Sequence, residues 1–490
     1  MLVTKSLISG AKWTTFDSAF SAVIQIIRVF VLTKLLTATD FGLMALVLIV
    51  TGFSQLFVDF GISSAIIYKA KNTDRELSTL YWLNVILGAS TCLILLVFSQ
   101  PIAIYIFSDE KLNMILKIIS FTFLFNGFAI QYKALLTKKL MFKNLAKINI
   151  ITPFVGFVVT IILAFQGFGV YSLVFGYMVE NFSRGSMFIL RGVKFHKPNW
   201  YFNLNEVKAY LNFGGYQMSE RIITYFRQQG DNLLIGAFLS TETLGFYNLA
   251  KILVMKPVQL IRSVFNKMAF PVYSTIQNDD QLKTMALTIN KVVYLAIIPV
   301  MLLLIVFPDA VIFYFYGEKW MSSVPYLSLT AILFSVRILR ATFGPLLLAR
   351  GKAKQSFYFN LWFSVIVLIA LSITLQFNII YALYALIFIE LFVLQAMNLV
   401  YVLKPILGFT IKDYIILAME SFIPLMCSCL LAFILYANYS NKADVFNNIC
   451  IYTISLSLGL IVYYLFNKES IKFVMGKFKG LKGDKKNNNE

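Results

Sequence analysis

Residues 213–239, FGGYQMSERIITYFRQQGDNLLIGAFL, are long enough to cross a bilayer as one helix, yet they carry Glu220, Arg221, Arg227 and Asp231. A charge near the bilayer centre costs about 2.5–3.5 kcal/mol on insertion scales, so ionisable groups in a spanning helix face a bundle interior or a wet cavity. At about 100° per residue, Glu220, Thr224, Arg227 and Asp231 fall on one face. Such a helix predicts a membrane bundle arranged around a polar, partly cationic path.

The rest of the chain agrees. Its 490 residues are 59% hydrophobic and 13% charged, with a mean hydropathy of +0.77. That is too little polar surface to cover a water-soluble globule. Apolar runs of about 20 residues, each enough for a hydrocarbon core of roughly 30 Å, predict fourteen spans: 14–36, 43–67, 79–103, 113–132, 148–165, 169–190, 213–239, 244–265, 288–307, 324–349, 357–376, 379–403, 414–436 and 446–466. The fold class expected is all-α and polytopic. The first apolar span lacks the small-residue pattern of a signal-peptide cleavage site, so no cleavage is expected.

The formal charge of +20 has a topological cause rather than nucleic-acid binding, because the basic residues gather in alternate loops. One set of connections holds Lys69, Lys71 and Arg75, then Lys133, Lys138, Lys139, Lys143 and Lys147, and later a lysine-rich tail; the opposite set holds only Lys111, Lys319 and Lys442. This bias puts both termini in the cytoplasm. The tail from 468 to 490 reads as a disordered basic segment near anionic lipid. The lone histidine, His196, reads as a solvated loop residue. Cys92, Cys427, Cys429 and Cys450 lie in or beside apolar spans and read as small buried hydrophobes, with no disulfide or metal spacing. Residues 204–211 are expected to form a short interfacial helix.

An internal repeat organises the chain. LLTATDFG (35–42) is echoed by FLSTETLG (238–245), FSDEK (107–111) by FYGEK (315–319), and QGFGVYSLVFGYMVENF (166–182) by QFNIIYALYALIFIELF (376–392), which aligns Glu180 with Glu390. Six spans return the chain to its starting side, so the copies are expected to be parallel, related by an axis along the membrane normal. The domains expected are a six-helix lobe at 1–200, a second at 201–405, two added helices at 406–467 and the basic tail at 468–490.

Charged residues inside the spans are the candidate site. Arg28, Arg221, Arg227, Arg337, Arg340, Lys251 and Lys256 are expected to line a cationic lumen. Asp17, Asp59, Glu180, Glu220, Asp231 and Glu390 are expected to pair with them or to couple an ion. The cations outnumber the acids, and a surplus of buried cation needs an anionic guest or water; the planar fork of arginine suits phosphate. The competing reading makes these charges bundle-locking ion pairs, as Arg227 and Asp231 are spaced to be within one helix. Pro153, Pro257, Pro271, Pro299 and Pro345 are expected to kink their helices. GxxxxGK[ST], HExxH and GxSxG are absent from the sequence, so transport energy is expected from H+ or Na+ coupling or from the substrate's own gradient.

SLISGAKWTTFDSAF (6–20), RVFVLTKLLTATDFGLMAL (28–46), LFVDFGISSAIIYK (56–69) and FRQQGDNLLIGAFLSTETLGFYNLA (226–250) resemble the bacterial polysaccharide transporters of the multidrug/oligosaccharidyl-lipid/polysaccharide flippase superfamily, of the colanic-acid and teichuronic-acid exporter type. The likeness covers the first twelve spans. It implies an inner-membrane flippase for an undecaprenyl-pyrophosphate-linked oligosaccharide, working by alternating access and not as an enzyme. It further implies a monomer in contact with membrane lipid, with a polysaccharide polymerase and chain-length proteins as neighbours. Two rivals stand beside it. A cation-coupled drug antiporter of the same superfamily favours an acid-rich cavity, and a membrane oligosaccharide polymerase or ligase wants a sizeable outer loop.

Overall fold

The computed structural model describes the backbone of residues 2–276, 278–340, 346–347, 349–439 and 445–487, and side chains mainly over 20–262, 278–340, 355–438 and 447–468. Every regular element among the described residues is a helix. Contacts divide the chain into two compact units, Met1–Asn248 and Leu249–Glu490. This division falls inside a helix, whereas the sequence repeat sets its halves at 200/201.

The first unit contains α1 (Leu2–Leu35), α2 (Ala38–Asp59), α3 (Ile62–Tyr68), α4 (Asp74–Pro101), α5 (Glu110–Lys138), α6 (Phe142–Phe165), α7 (Val170–Gly192), α8 (Lys208–Phe238) and the start of α9 (Thr241–Thr275). Helix α5 packs on α4 and α7, α6 on α1 and α7, and α8 on α2 and α3. In the second unit follow α10 (Asp279–Val306), α11 (Pro308–Tyr316), α12 (Val324–Ile338), α13 (Ala353–Thr374), α14 (Ile379–Leu407), α15 (Ile411–Tyr439) and α16 (Val445–Asn487). Helices α15 and α16 pack on each other and on α10.

Ten helices among the described residues are long and apolar enough to cross a membrane by composition, against fourteen spans expected. The helices that fail are informative. Helices α1, α7, α8 and α9 have 34, 23, 31 and 35 residues, sufficient length at about 1.5 Å per residue. Helices α7, α8 and α9 fall short in apolarity because they carry Glu180, Arg221, Arg227 and Lys251, among the residues expected to form the site; α1 is described side chain by side chain only from residue 23, too short a stretch to count.

The repeated turn folds the same way twice. Thr37 caps α2, its hydroxyl accepting from the Asp40 N–H at 3.2 Å while Asp40 accepts from the Thr37 N–H at 2.9 Å, a capping box. At the matching position the Ser240 hydroxyl accepts from the Thr243 N–H at 3.2 Å. Helices α2 and α9 then cross backbone to backbone. A β-carbon on Gly42 would fall on the Thr241 carbonyl oxygen, and one on Gly245 on the carbonyl oxygen of Ala38. Since Ala38 and Thr241 are themselves repeat-matched, the two copies of the motif make the same contact on each other.

Two expectations are corrected on the face that bears the basic loops. The segment 193–207 is a loop without regular helix beyond a turn, and α8 begins at Lys208 and runs unbroken to Phe238, so no separate interfacial helix forms over 204–211. His196 is buried, only 4% exposed, with Nε2 at 3.5 Å from Ser78 Oγ and Nδ1 at 3.7 Å from Asp74 Oδ1. Nothing local in the sequence marks it for burial; docking of the whole loop on α4 takes it out of solvent. Burial holds its pKa below the ordinary 6.5, opposed by the Asp74 carboxylate. The unfolded loop therefore binds the proton more readily, and docking is fully stable above about pH 6.5 and weakens as pH falls below it, by at most about ten-fold per pH unit. Amide exchange over 195–203, corrected for intrinsic rates, is expected to accelerate between pH 7.5 and 5.5 in the wild type and not in His196→Gln.

Helix α16 runs on to Asn487 with a kink at Asn467, where the composition predicts a disordered tail. Pro153 and Pro299 lie inside α6 and α10. Pro345 and Lys442 lie outside the described residues, as does the stretch 341–345 of the span expected at 324–349.

Candidate functional site

In both units a repeat-matched glutamate holds two arginines. Helix α7 carries Glu180, whose carboxylate accepts from Arg28 Nη1 of α1 at 3.4 Å and from Arg184 Nη2, one turn on, at 2.6 Å. In the second unit Glu390, 1% exposed, accepts from Arg337 Nε at 3.1 Å and from Arg340 Nη2. Glu390 stands in a wide π turn, Ile389–Leu394, of α14, a local widening that often accompanies functional positions. Arg337 and Arg340 also lie over the rings of Phe334 and Phe363, at 5.1 Å each. In each cluster two guanidinium groups share one carboxylate.

The first cluster opens on two cavities. One of about 250 Å³ is lined by Gln55, Asn126, Lys133, Tyr177, Asn181 and Arg184. Another, of about 430 Å³, is lined by Asp17, Ser21, Asn149 and Pro153 and shares Lys133 and Arg184 with it. Asp17 accepts from Asn149 Nδ2 at 2.9 Å and from the Ser21 hydroxyl at 3.2 Å. Arg184 Nε donates to Thr152 Oγ1 at 3.4 Å.

Arg221 and Asp59 meet within electrostatic reach of Lys133 in the same unit. Arg221 donates through Nη1 to Asp59 and through Nη2 to Ser64 Oγ at 2.9 Å, and Asp59 also accepts from the Ser63 N–H at 3.1 Å. The chain turns sharply there, with Phe60 at φ 42° and Gly61 at φ 71° between α2 and α3. Asp231 accepts from the Tyr247 hydroxyl at 2.8 Å. Glu220 and Arg227 are exposed on α8, Lys251 is buried on α9 and Lys256 half-buried.

The structure thus brings Arg28 to Glu180, Arg221 to Asp59, and Arg337 with Arg340 to Glu390, and it places Asp17 on a cavity wall. It also adds two residues that the sequence does not single out. Arg184 stands four residues after Glu180, the spacing at which an acid and a base on one helix meet, and that spacing is the signal that could have found it. Lys133 opens the basic run 133–147 and so reads as a loop lysine. It lies inside α5, more than a turn before the helix ends at Lys138, and lines both cavities.

Residues 31–325 match the family described as Polysaccharide biosynthesis protein. The chain belongs to this family. Among relatives of this polysaccharide biosynthesis protein, the Teichuronic acid biosynthesis protein TuaB of Bacillus subtilis (strain 168) is 32% identical over 73% of this chain and 74% of its own. The Lipopolysaccharide biosynthesis protein WzxC of Escherichia coli (strain K12) is 28% identical over 74% of each. The Lipid II flippase MurJ in an inward closed conformation superposes with a TM-score of 0.73 at 16% identity, over 95% of this chain and 100% of that one. At that identity the likeness establishes the fold of this polysaccharide biosynthesis protein: polytopic, multi-pass and all-helical.

Proposed function

We propose that this chain is a flippase that carries an undecaprenyl-pyrophosphate-linked oligosaccharide from the cytoplasmic to the outer leaflet of the bacterial inner membrane, by alternating access, with both termini in the cytoplasm. It acts as a monomer on a lipid-linked substrate, breaks no covalent bond, and delivers its cargo to a polysaccharide polymerase and chain-length proteins. An ion gradient, of H+ or Na+, or the substrate's own gradient drives it.

One observation carries the reading: Arg184 and Lys133 line both cavities and, with Arg28, stand against Glu180 and Asp17, the Asp59 carboxylate near Lys133 being taken by Arg221. A surplus of cation at membrane depth fits an anionic headgroup, and guanidinium pairs two oxygens of a phosphate at once. Exposed Glu220 and Arg227 on a spanning helix add a face that hydrocarbon cannot cover. Family membership and the flippase fold support the same reading. A drug antiporter would call for the opposite balance of charge.

Deletion is expected to leave lipid-linked oligosaccharide in the inner leaflet and abolish surface polymer without stopping its synthesis. Lys133→Ala and Arg184→Ala supply the sharper test. Arg184→Ala leaves Arg28 balanced on Glu180, so membrane abundance is expected to hold. Loss of one charge-assisted contact, roughly 1.5–3 kcal/mol, is expected to slow export by about ten- to a hundred-fold, with partial recovery in Arg184→Lys. Export that falls only in proportion to abundance in both variants would defeat this reading.

A further inference from the structure

The loop 193–207 is strapped along the first turns of α4. The Asn199 N–H donates to Ser78 Oγ at 3.1 Å, the Asn203 N–H donates to Thr79 Oγ1 at 3.2 Å, and Trp82 Nε1 donates to the Asn199 carbonyl at 2.9 Å. Trp200 stacks on Trp82, centroids 4.4 Å apart and planes 19° from parallel, while remaining 91% exposed.

Trp82 fixes the depth and direction of this stack. At helical spacing it shares a stripe with Ile86, Leu93 and Val97, all exposed apolar residues on a spanning helix, and so a stripe that faces lipid. Trp82 is eight residues past Asp74, about 12 Å along the helix, where headgroups give way to hydrocarbon. Tryptophan is favoured at that level because its ring is apolar and its N–H polar. Phe202 and Leu204, also exposed, follow on the same loop.

Cations surround the stack. The Arg75 guanidinium lies over the Tyr201 ring at 5.4 Å and Lys139 Nζ over the Phe195 ring at 4.3 Å; Lys194 and Lys197 are exposed on the loop itself. Of the nearby acids, Glu206 is engaged by the Tyr201 hydroxyl at 2.6 Å and Glu76 by Lys69 at 2.6 Å, which leaves the exposed Asp74, beside His196, against four cations.

We propose that the 193–207 loop and the first turn of α4 form a docking site for anionic phospholipids of the surrounding bilayer, on the leaflet bordering the basic loops. Trp200, Phe202 and Leu204 seat at the acyl-chain boundary, and Arg75, Lys139, Lys194 and Lys197 meet the phosphates. A basic residue near an anionic surface enriches that lipid roughly five-fold, so the site discriminates by headgroup and not by chain.

The test uses the full chain in nanodiscs of phosphatidylcholine mixed with phosphatidylglycerol, bromine being carried on the acyl chains of one lipid at a time. The Trp200 contribution is the quenching lost in Trp200→Phe. Brominated phosphatidylglycerol is expected to quench it several-fold more than brominated phosphatidylcholine, and the preference to vanish in Arg75→Gln/Lys194→Gln/Lys197→Gln while quenching by either lipid persists. Equal quenching by both lipids in the wild-type loop overturns the proposal, as does no quenching of Trp200 or a preference that survives the triple change. The comparison of lipids in wild-type protein needs no cation substitution, so it decides the matter even where the triple variant folds poorly.

Discussion

Glu390→Ala is expected to remove most of the protein from the membrane, whereas Arg337→Ala is expected to leave its abundance near normal. The asymmetry follows from the count of charges in the cluster. Glu390 is buried and receives both Arg337 and Arg340. Taking away the carboxylate leaves two guanidinium groups facing each other without it, and breaking a buried pair from one side costs roughly 3–5 kcal/mol. Taking away Arg337 leaves Arg340 on Glu390, one charge against one. Membrane abundance followed by a fluorescent fusion, with thermal unfolding of the solubilised protein, measures both. A triple change of Glu390, Arg337 and Arg340 to uncharged residues is expected to recover much of the loss, since replacing a whole buried ionic cluster is often neutral. Equal losses in Glu390→Ala and Arg337→Ala would show that the cluster is not organised by its acid.

Gly245→Ala is expected to destabilise the protein by about 1–3 kcal/mol or more, while the same change at Gly215 is expected to stabilise it by roughly 0.5–1 kcal/mol. Both glycines lie in long helices. A β-carbon at 215 meets nothing within 4 Å, but one at 245 lands on the Ala38 carbonyl, a backbone atom that moves only if α2 moves. Unfolding midpoints of the two variants in one detergent give the answer. A stable Gly245→Ala would mean that α2 and α9 separate at little cost.

What can be read from the sequence is local. The capped turns at 37–42 and 240–245 are legible because threonine or serine, an acid or hydroxyl three residues on, and glycine specify a helix start and a close crossing within eight residues. Glu180 and Glu390 are legible as a matched pair for the same reason. Their partners are not: Arg28 reaches Glu180 across 152 positions of chain, and no spacing encodes that. Lys133 is hidden by its neighbours, because a lysine that opens a basic run looks like the loop rather than the helix before it. His196 reads as solvated because Ser78, Thr79 and Trp82, which dock its loop, lie in another helix. The spans at 169–190, 213–239 and 244–265 stand out least by hydropathy, since the charges that give them a site also dilute it.

The crossing of Gly42 and Gly245 has the symmetry of a two-fold contact. Gly42 meets Thr241, Gly245 meets Ala38, and each pair is the other with its members exchanged, which is the signature of an isologous contact. Two identical half-length chains pairing about a two-fold axis would make this contact from a single glycine, used once by each partner. Within the single chain the two copies differ widely in sequence, but at that spot each glycine still accepts the backbone of the other's turn. The contact that would join two identical half-chains thus lies inside one chain, and it is one glycine wide on each side.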